Sequence, residues 1–232
     1  MKTKKDIFGF FLRFLLKTTF FMSIIKISSL CKLSFIWGST CATFSGSCAT
    51  IPLAGACAGG LVSVALFIIS FLVRYLIFGV YSLHILAFYV PGLCAAVSLS
   101  SHVLCKTCMK LLVPLFCIIL FICHPVGIQA FGYSLFWTIP VTLYFIKQKN
   151  IFLDALAATF IAHAVGSVIF LYTVGLHPAA WNALIPIVIL ERLAIACLIY
   201  VLYKLFGFVK KQVLNKVLNF CPHYGKLFGV NL

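Results

Sequence analysis

Long apolar runs, punctuated by small basic clusters and by two His-Pro turns, set the pattern of this chain. From Ser34 the text stays almost continuously apolar until Lys204, broken at Lys106 and Lys110 and again at Lys147 and Lys149. About 36 residues separate the first two clusters, and about 54 separate the second from the third, which begins at Lys204. A helix needs about 20 residues to cross a bilayer, so each interval predicts two crossings. The first pair turns at "HPVG" and the second at "GLHPAAW". Helices are therefore predicted over 109–124, 126–146, 151–174 and 181–206. Upstream, 57–78 and 82–104 complete an all-α, polytopic integral membrane helix bundle of about six transmembrane helices.

Two segments depart from that rhythm. Residues 1–32 are basic, and Arg13, Lys17 and Lys26 interrupt their apolar run, which argues against a cleaved signal peptide. Arg13 and Lys17 share one helical face, so the segment is predicted to be amphipathic and interfacial, with a spanning helix over 8–30 as the alternative. The stretch "FSGSCATIPLAGACAGG" is rich in small residues and is predicted to turn at Pro52 between two helices. Its four-residue repeats, Ala54/Ala58 and Gly55/Gly59, would let another backbone approach closely. The chain thus divides into 1–32, a bundle over 33–208, and a basic tail over 209–232.

Charge orients the bundle. The positive-inside rule places the three basic clusters, and with them the C-terminus, in the cytoplasm and the His-Pro turns outside. The two turns also echo one another, each running from His-Pro through Trp to an Ile-Pro pair. Such an echo is either a faint internal repeat, a common origin of transporter folds, or chance in a biased composition.

Composition agrees with the pattern. The chain of 232 residues is 64% hydrophobic and 9% charged, with a mean hydropathy of +1.18, which excludes a soluble catalytic domain. The net charge of +15 lies between and beyond the apolar runs, so its partner is expected to be anionic lipid headgroups and not nucleic acid. Eleven Cys scattered through apolar text make no disulfide framework. "HVLCKTC", with His102, Cys105 and Cys108, is a poor match to zinc spacings, and no metal or cofactor is expected.

Candidate chemistry sits at depth. His163 precedes the helix end near Val174 by 11 residues, and 11 residues beyond Trp181 stands Arg192, beside Glu191. In an antiparallel hairpin these three share one layer, roughly 16 Å from the outer turn at 1.5 Å per residue. Ionisable groups at such depth face a bundle interior or a cavity. Thr159, His163 and Ser167 form a polar stripe at four-residue spacing, flanked by a small stripe of Ala158, Ala162 and Gly166. Pairing Glu191 with His163 or Arg192 would lower the cost of each charge. Gln129 and Trp137, below the first outer turn, are candidates to line the same outward pocket. Trp181 reads more readily as an interfacial anchor, and Asp154 as a first-turn carboxylate suited to the helix dipole and nearby lysines.

The last two helices, "FLDALAATFIAHAVGSVIFLY" and "ALIPIVILERLAIACLIYVLY", resemble the substrate-binding component of energy-coupling-factor vitamin transporters. There, too, a proline-led final helix carries a charged pair. Ala54-x-x-x-Ala58 is similar to the contact through which that family meets its coupling subunit. The resemblance implies a substrate-binding or transport subunit of a bacterial inner membrane, taking a small polar molecule and drawing energy from an ATPase-coupled module. Two other readings stand beside it. One is an intramembrane lipid-modifying enzyme built on His163 and Ser167; the other is a structural protein whose polar layer only holds two helices in register.

Overall fold

The computed structural model describes residues 4–37, 40–78, 84–100, 106–146 and 150–220. Helix α1, Lys4–Leu30, is followed by an antiparallel hairpin of β1, Lys32–Trp37, and β2, Thr40–Ser45. Helices α2, Ser47–Ala58, α3, Gly60–Phe78, and α4, His84–Leu99, come next. The helix α5, Cys108–Ile122, opens with a π turn over Cys108–Leu112. Beyond it the chain is broken into α6, Pro125–Gln129, α7, Phe131–Ser134, a 3-10 turn and α8, Thr138–Phe145. Two long helices finish the bundle: α9, Ile151–Val174, and α10, Pro178–Phe220.

The protein is α-helical apart from one small hairpin. Three helical segments are long and apolar enough to cross a membrane: Phe8–Leu30, Ile151–Val174 and Pro178–Gln212. Four shorter apolar helices, Ser47–Ala58, Gly60–Val73, Tyr89–Leu99 and Cys108–Ile122, surround them among the described residues. Helix α9 is the axis of the bundle, with 56% of its most apolar window buried by the rest of the chain, against 11% for the first helix. Phe8, Leu61, Leu76, Phe116, Ile119 and Phe208 are exposed, an outer surface that fits membrane integration.

Local chemistry explains the boundaries. Asn150 caps α9 by accepting from the Phe152 amide at 2.9 Å, and Gly175, with φ at +64°, ends it in the left-handed region where a Cβ is disfavoured. His124 Nδ1 accepts from the Val126 amide at 3.2 Å, and His177 Nδ1 from the Ala179 amide at 3.3 Å. Each histidine is followed by a proline in the first helical position, where its missing N–H removes no hydrogen bond. The shared His-Pro of the two turns is therefore a shared way of starting a helix.

Three expectations are corrected. The strands β1 and β2 were not expected. The antiparallel ladder and the cross-strand Ser34–Thr43 hydroxyl pair at 2.8 Å hold a hairpin whose connection at 38–39 lies outside the described residues. Pro52 does not turn the chain; it is buried inside α2, and the break comes at Gly59, whose φ of +92° suits glycine alone. Finally, α10 continues as one helix to Phe220, past the expected helix end at 206. The helix expected over 82–104 is observed as α4, its outer ends lying outside the described residues.

The small-residue stripes bring helices together. A Cβ on Gly55 would lie 1.9 Å from the Ala96 carbonyl oxygen, so α2 and α4 touch backbone to backbone. On the opposite side of α4, Gly166 of α9 meets the Pro91 ring, and Ala95 packs with Ala155 and Ala158. Helix α1 lies against α10 through Phe21 and Phe206, whose rings are 5.9 Å apart.

Candidate functional site

Beside these close contacts the helices enclose a cavity of about 530 Å3. Helix α9 contributes Thr159, Ala162, His163, Gly166 and Ser167, while α10 contributes Trp181, Val188, Glu191, Arg192 and Ile195. The facing wall is formed by Pro91 and Gly92 of α4, by Tyr133 of α7, and by Thr43, Ser47, Cys48 and Ile51 from β2 and the start of α2. The four-residue spacing of Thr159, His163 and Ser167 places all three on the cavity face of α9.

The charged layer is internally paired. Arg192 Nη2 lies 2.6 Å from Glu191 Oε1, with both side chains largely buried. Thr159 Oγ1 donates to the Leu156 carbonyl at 2.8 Å and approaches the Arg192 carbonyl at 3.5 Å, tying α9 to α10. Of the two partners considered for Glu191, it is Arg192 and not His163 that takes it. The imidazole instead packs on Tyr133, at 5.3 Å between ring centres, and its Nε2 has no hydrogen-bond partner. Ser167 Oγ and Tyr133 Oη face each other at 3.4 Å. Two more donors, Arg192 Nε and Trp181 Nε1, are buried without an acceptor.

Of the residues proposed from sequence, Thr159, His163, Ser167, Glu191 and Arg192 thus come together around one cavity. Gln129 does not: it is exposed, and its amide donates to the Pro125 carbonyl of its own helix at 3.1 Å. Trp137 is completely buried behind His163, with their rings 6.5 Å apart, and supports the wall without lining it. Trp181 is no interfacial anchor; it is 2% exposed and packs on Tyr133 at 4.9 Å. Ala54 is buried in the chain's own core with Phe21, Leu53 and Val62, and Ala58 packs partly against it, so the pair faces inward. Sequence reading missed Tyr133 and the start of α2. The usable signal for the latter was the run of small residues from Ser45 to Thr50, at the start of a helix too short to span alone.

A second polar cluster lies at the opposite end of α9. Asp154 bonds closely to Lys110 Nζ, and Lys106 Nζ stands 3.9 Å away. Lys110, on the π turn of α5, is buried by this pairing, so the cluster locks α5 to the first turn of α9. Among the described residues no group of three or more His, Cys, Asp or Glu could hold a metal; His102 and Cys105 lie outside them. Comparison of the chain with models of known families, with curated proteins and with solved structures gives no match.

Proposed function

We propose that this chain is a membrane-integrated binding or transport subunit for a small polar molecule. The observation that carries the reading is the cavity itself. Its volume of about 530 Å3 falls in the range of small-molecule pockets, roughly 300–1,000 Å3, and it gathers His163, Glu191 and Arg192 on mostly apolar walls. Non-helical backbone also reaches it at Thr43, an arrangement a bilayer tolerates where backbone borders a cavity and not lipid. In this reading the bundle makes six crossings of a bacterial plasma membrane, with the basic clusters and the C-terminus cytoplasmic. The sequence contains no nucleotide-binding loop, so an ATPase-coupled module is the proposed source of energy. That partner would have to dock on a surface other than Ala54.

Anionic lipid is a further proposed partner. Lys17 of α1 and Lys210 of α10 flank a groove of about 690 Å3 whose floor includes Phe20, Phe21 and Phe206. Two cations from different helices above aromatic rings suit a phosphate headgroup and its acyl chain.

Binding is favoured over catalysis because Ser167 meets Tyr133, while His163 Nε2 meets nothing. A hydroxyl nucleophile needs its base within hydrogen-bond reach. The structural reading draws on one specific observation, that Glu191 and Arg192 satisfy one another. The test is mass spectrometry of small molecules carried through gentle purification. Wild type should retain a compound that His163→Ala and Glu191→Gln lose while remaining folded. If both variants instead fail to fold, and a Glu191→Leu/Arg192→Met double variant is as stable as wild type and retains the same compounds, the layer is only a clamp.

A further inference from the structure

Some hydrogen-bonding groups around the cavity are engaged and others are not, and the free ones say what an occupant can bring. Glu191 Oε1 is taken by Arg192, Ser167 and Tyr133 face each other, Thr159 donates to its own helix, and His163 Nε2 has no partner. Donors are left over. Trp181, 98% buried by its 2% exposure and part of the cavity wall, has an indole N–H with no acceptor. Arg192 spends one nitrogen on Glu191, and its Nε–H is likewise without a partner. Indole and guanidinium nitrogens cannot accept, so an acceptor, such as one carried by a ligand, is what would satisfy them.

The start of α2 adds to the same side of the ledger. This helix of 12 residues begins at the cavity with Ser47 and Cys48, and Gly46 offers no side-chain cap. The first helical hydrogen bonds run from the Ala49 and Thr50 amides to the Gly46 carbonyl, at 3.1 and 3.2 Å. The amides of Ser47 and Cys48 precede that ladder, at the end of the helix that carries roughly half a positive charge. One arginine, one glutamate and one helix N-terminus leave the cavity slightly positive. A second negative charge would meet Glu191. The remaining walls, including Ile51, Phe170, Leu184 and Ile187, are apolar.

We infer that the occupant is a small organic monoanion, a monocarboxylate with a compact apolar body, whose carboxylate faces Arg192, Trp181 and the start of α2. This rests on the binding-subunit reading and names the ligand class for that cavity. Arg192 holds the carboxylate as a charge-assisted donor, and the apolar walls take the body.

The test uses the full chain in lipid nanodiscs, incubated with a defined equimolar mixture. The mixture contains monocarboxylates of four to ten carbons, their primary amides, the matching primary amines, and the matching dicarboxylates. Retained compounds are identified by mass spectrometry. Monocarboxylates should be enriched at least tenfold over the other three classes. Arg192→Lys, which keeps the charge but loses the Nε donor and the planar fork, should cut that enrichment about tenfold. Arg192→Gln should abolish it, with folding of both checked by thermal unfolding. Equal or better retention of amides, amines or dicarboxylates overturns the monoanion inference and leaves the pocket standing. Retention of no class by folded wild-type protein overturns the binding reading as well. Undiminished preference in folded Arg192→Lys removes Arg192 from the recognition.

Discussion

Replacing Gly55 by alanine isolates the contact that holds α2 in place. A Cβ at that position would lie 1.9 Å from the Ala96 oxygen, 2.5 Å from its carbonyl carbon and 2.7 Å from its Cα. All three are backbone atoms, so no rotamer change relieves the clash. Real Cβ contacts essentially never fall under 3.0 Å, which means α2 and α4 must separate by about 1 Å or more. Overpacking of this kind costs about 1–3 kcal/mol, and the rigid partner puts Gly55 at the upper end. Against that, alanine gains about 1 kcal/mol of helix propensity over glycine. The net loss is about 1–2 kcal/mol, or a melting temperature lower by about 2–8 °C for a chain of this size. Gly207, in α10, is the matched control because nothing lies within 4 Å of its Cβ position. Gly207→Ala should therefore leave stability unchanged or raise it by up to about 1 kcal/mol. Both variants are measured by thermal unfolding in the same nanodisc. A Gly55→Ala protein that melts at or above wild type would refute the backbone contact between α2 and α4.

Other consequences of the structure can be measured in the same format. Asp154→Asn strands the buried Lys110 ammonium and should cost about 2–3 kcal/mol, somewhat less than a fully buried pair because Asp154 is a quarter exposed. The Lys110→Met/Asp154→Leu double variant should recover most of that loss in thermal unfolding; no recovery would mean the pair does more than balance charge. His124→Ala and His177→Ala each remove a helix cap, so each should lower stability by about 1 kcal/mol, and the two losses should add. Lys17→Gln/Lys210→Gln should lose anionic phospholipid seen by native mass spectrometry, with zwitterionic lipid unaffected; equal retention of both lipids would remove the groove as a site.

What could be read from the sequence follows from which interactions are local. The ends of α9 are written within four residues of each boundary, in Asn150 and Gly175, and they lie where the apolar pattern places them. The grouping of His163, Glu191 and Arg192 needed only a turn and a constant rise per residue. The hairpin was obscured because its strands are only six residues each, and hydropathy averaged over a helical window merges them with the apolar text on either side. Pro52 misled for a related reason. Proline marks a break only when the helix around it has no other support, whereas this one is packed against α1 and α10 around Leu53 and Ala54 and against α4 at Gly55. Gln129 failed because a short helix after His124 turns its side chain back on Pro125, a detail that depends on a cap. Trp181 failed because aromatic anchors and aromatic walls have the same composition, and only its stacking on Tyr133 and Phe121 separates them.

The small and polar stripes of α9 are two parts of one device. Toward Asp154 the helices are pinned by residues with almost no side chain: Gly55 against Ala96, and Ala95 against Ala155 and Ala158. One turn further along, the same helices present Ile51, Gly92, Ala162, His163 and Arg192, and there the cavity begins. There α2 and α4 face each other through Ile51 and Gly92, while α4 and α9 stay together as far as Pro91 and Gly166, so the cavity opens between this close-packed set and α10. The prediction that follows is directional. Enlarging the close-packed Ala158 to valine should shift α9 away from α4, lowering stability by about 1–3 kcal/mol and loosening retention of any bound small molecule together. Enlarging Ala162, one turn higher and on the cavity face, should instead reduce retention while stability stays within about 0.5 kcal/mol of wild type, because its side chain grows into space. If Ala162→Val destabilises as much as Ala158→Val, the placing of Ala162 on the cavity face is wrong.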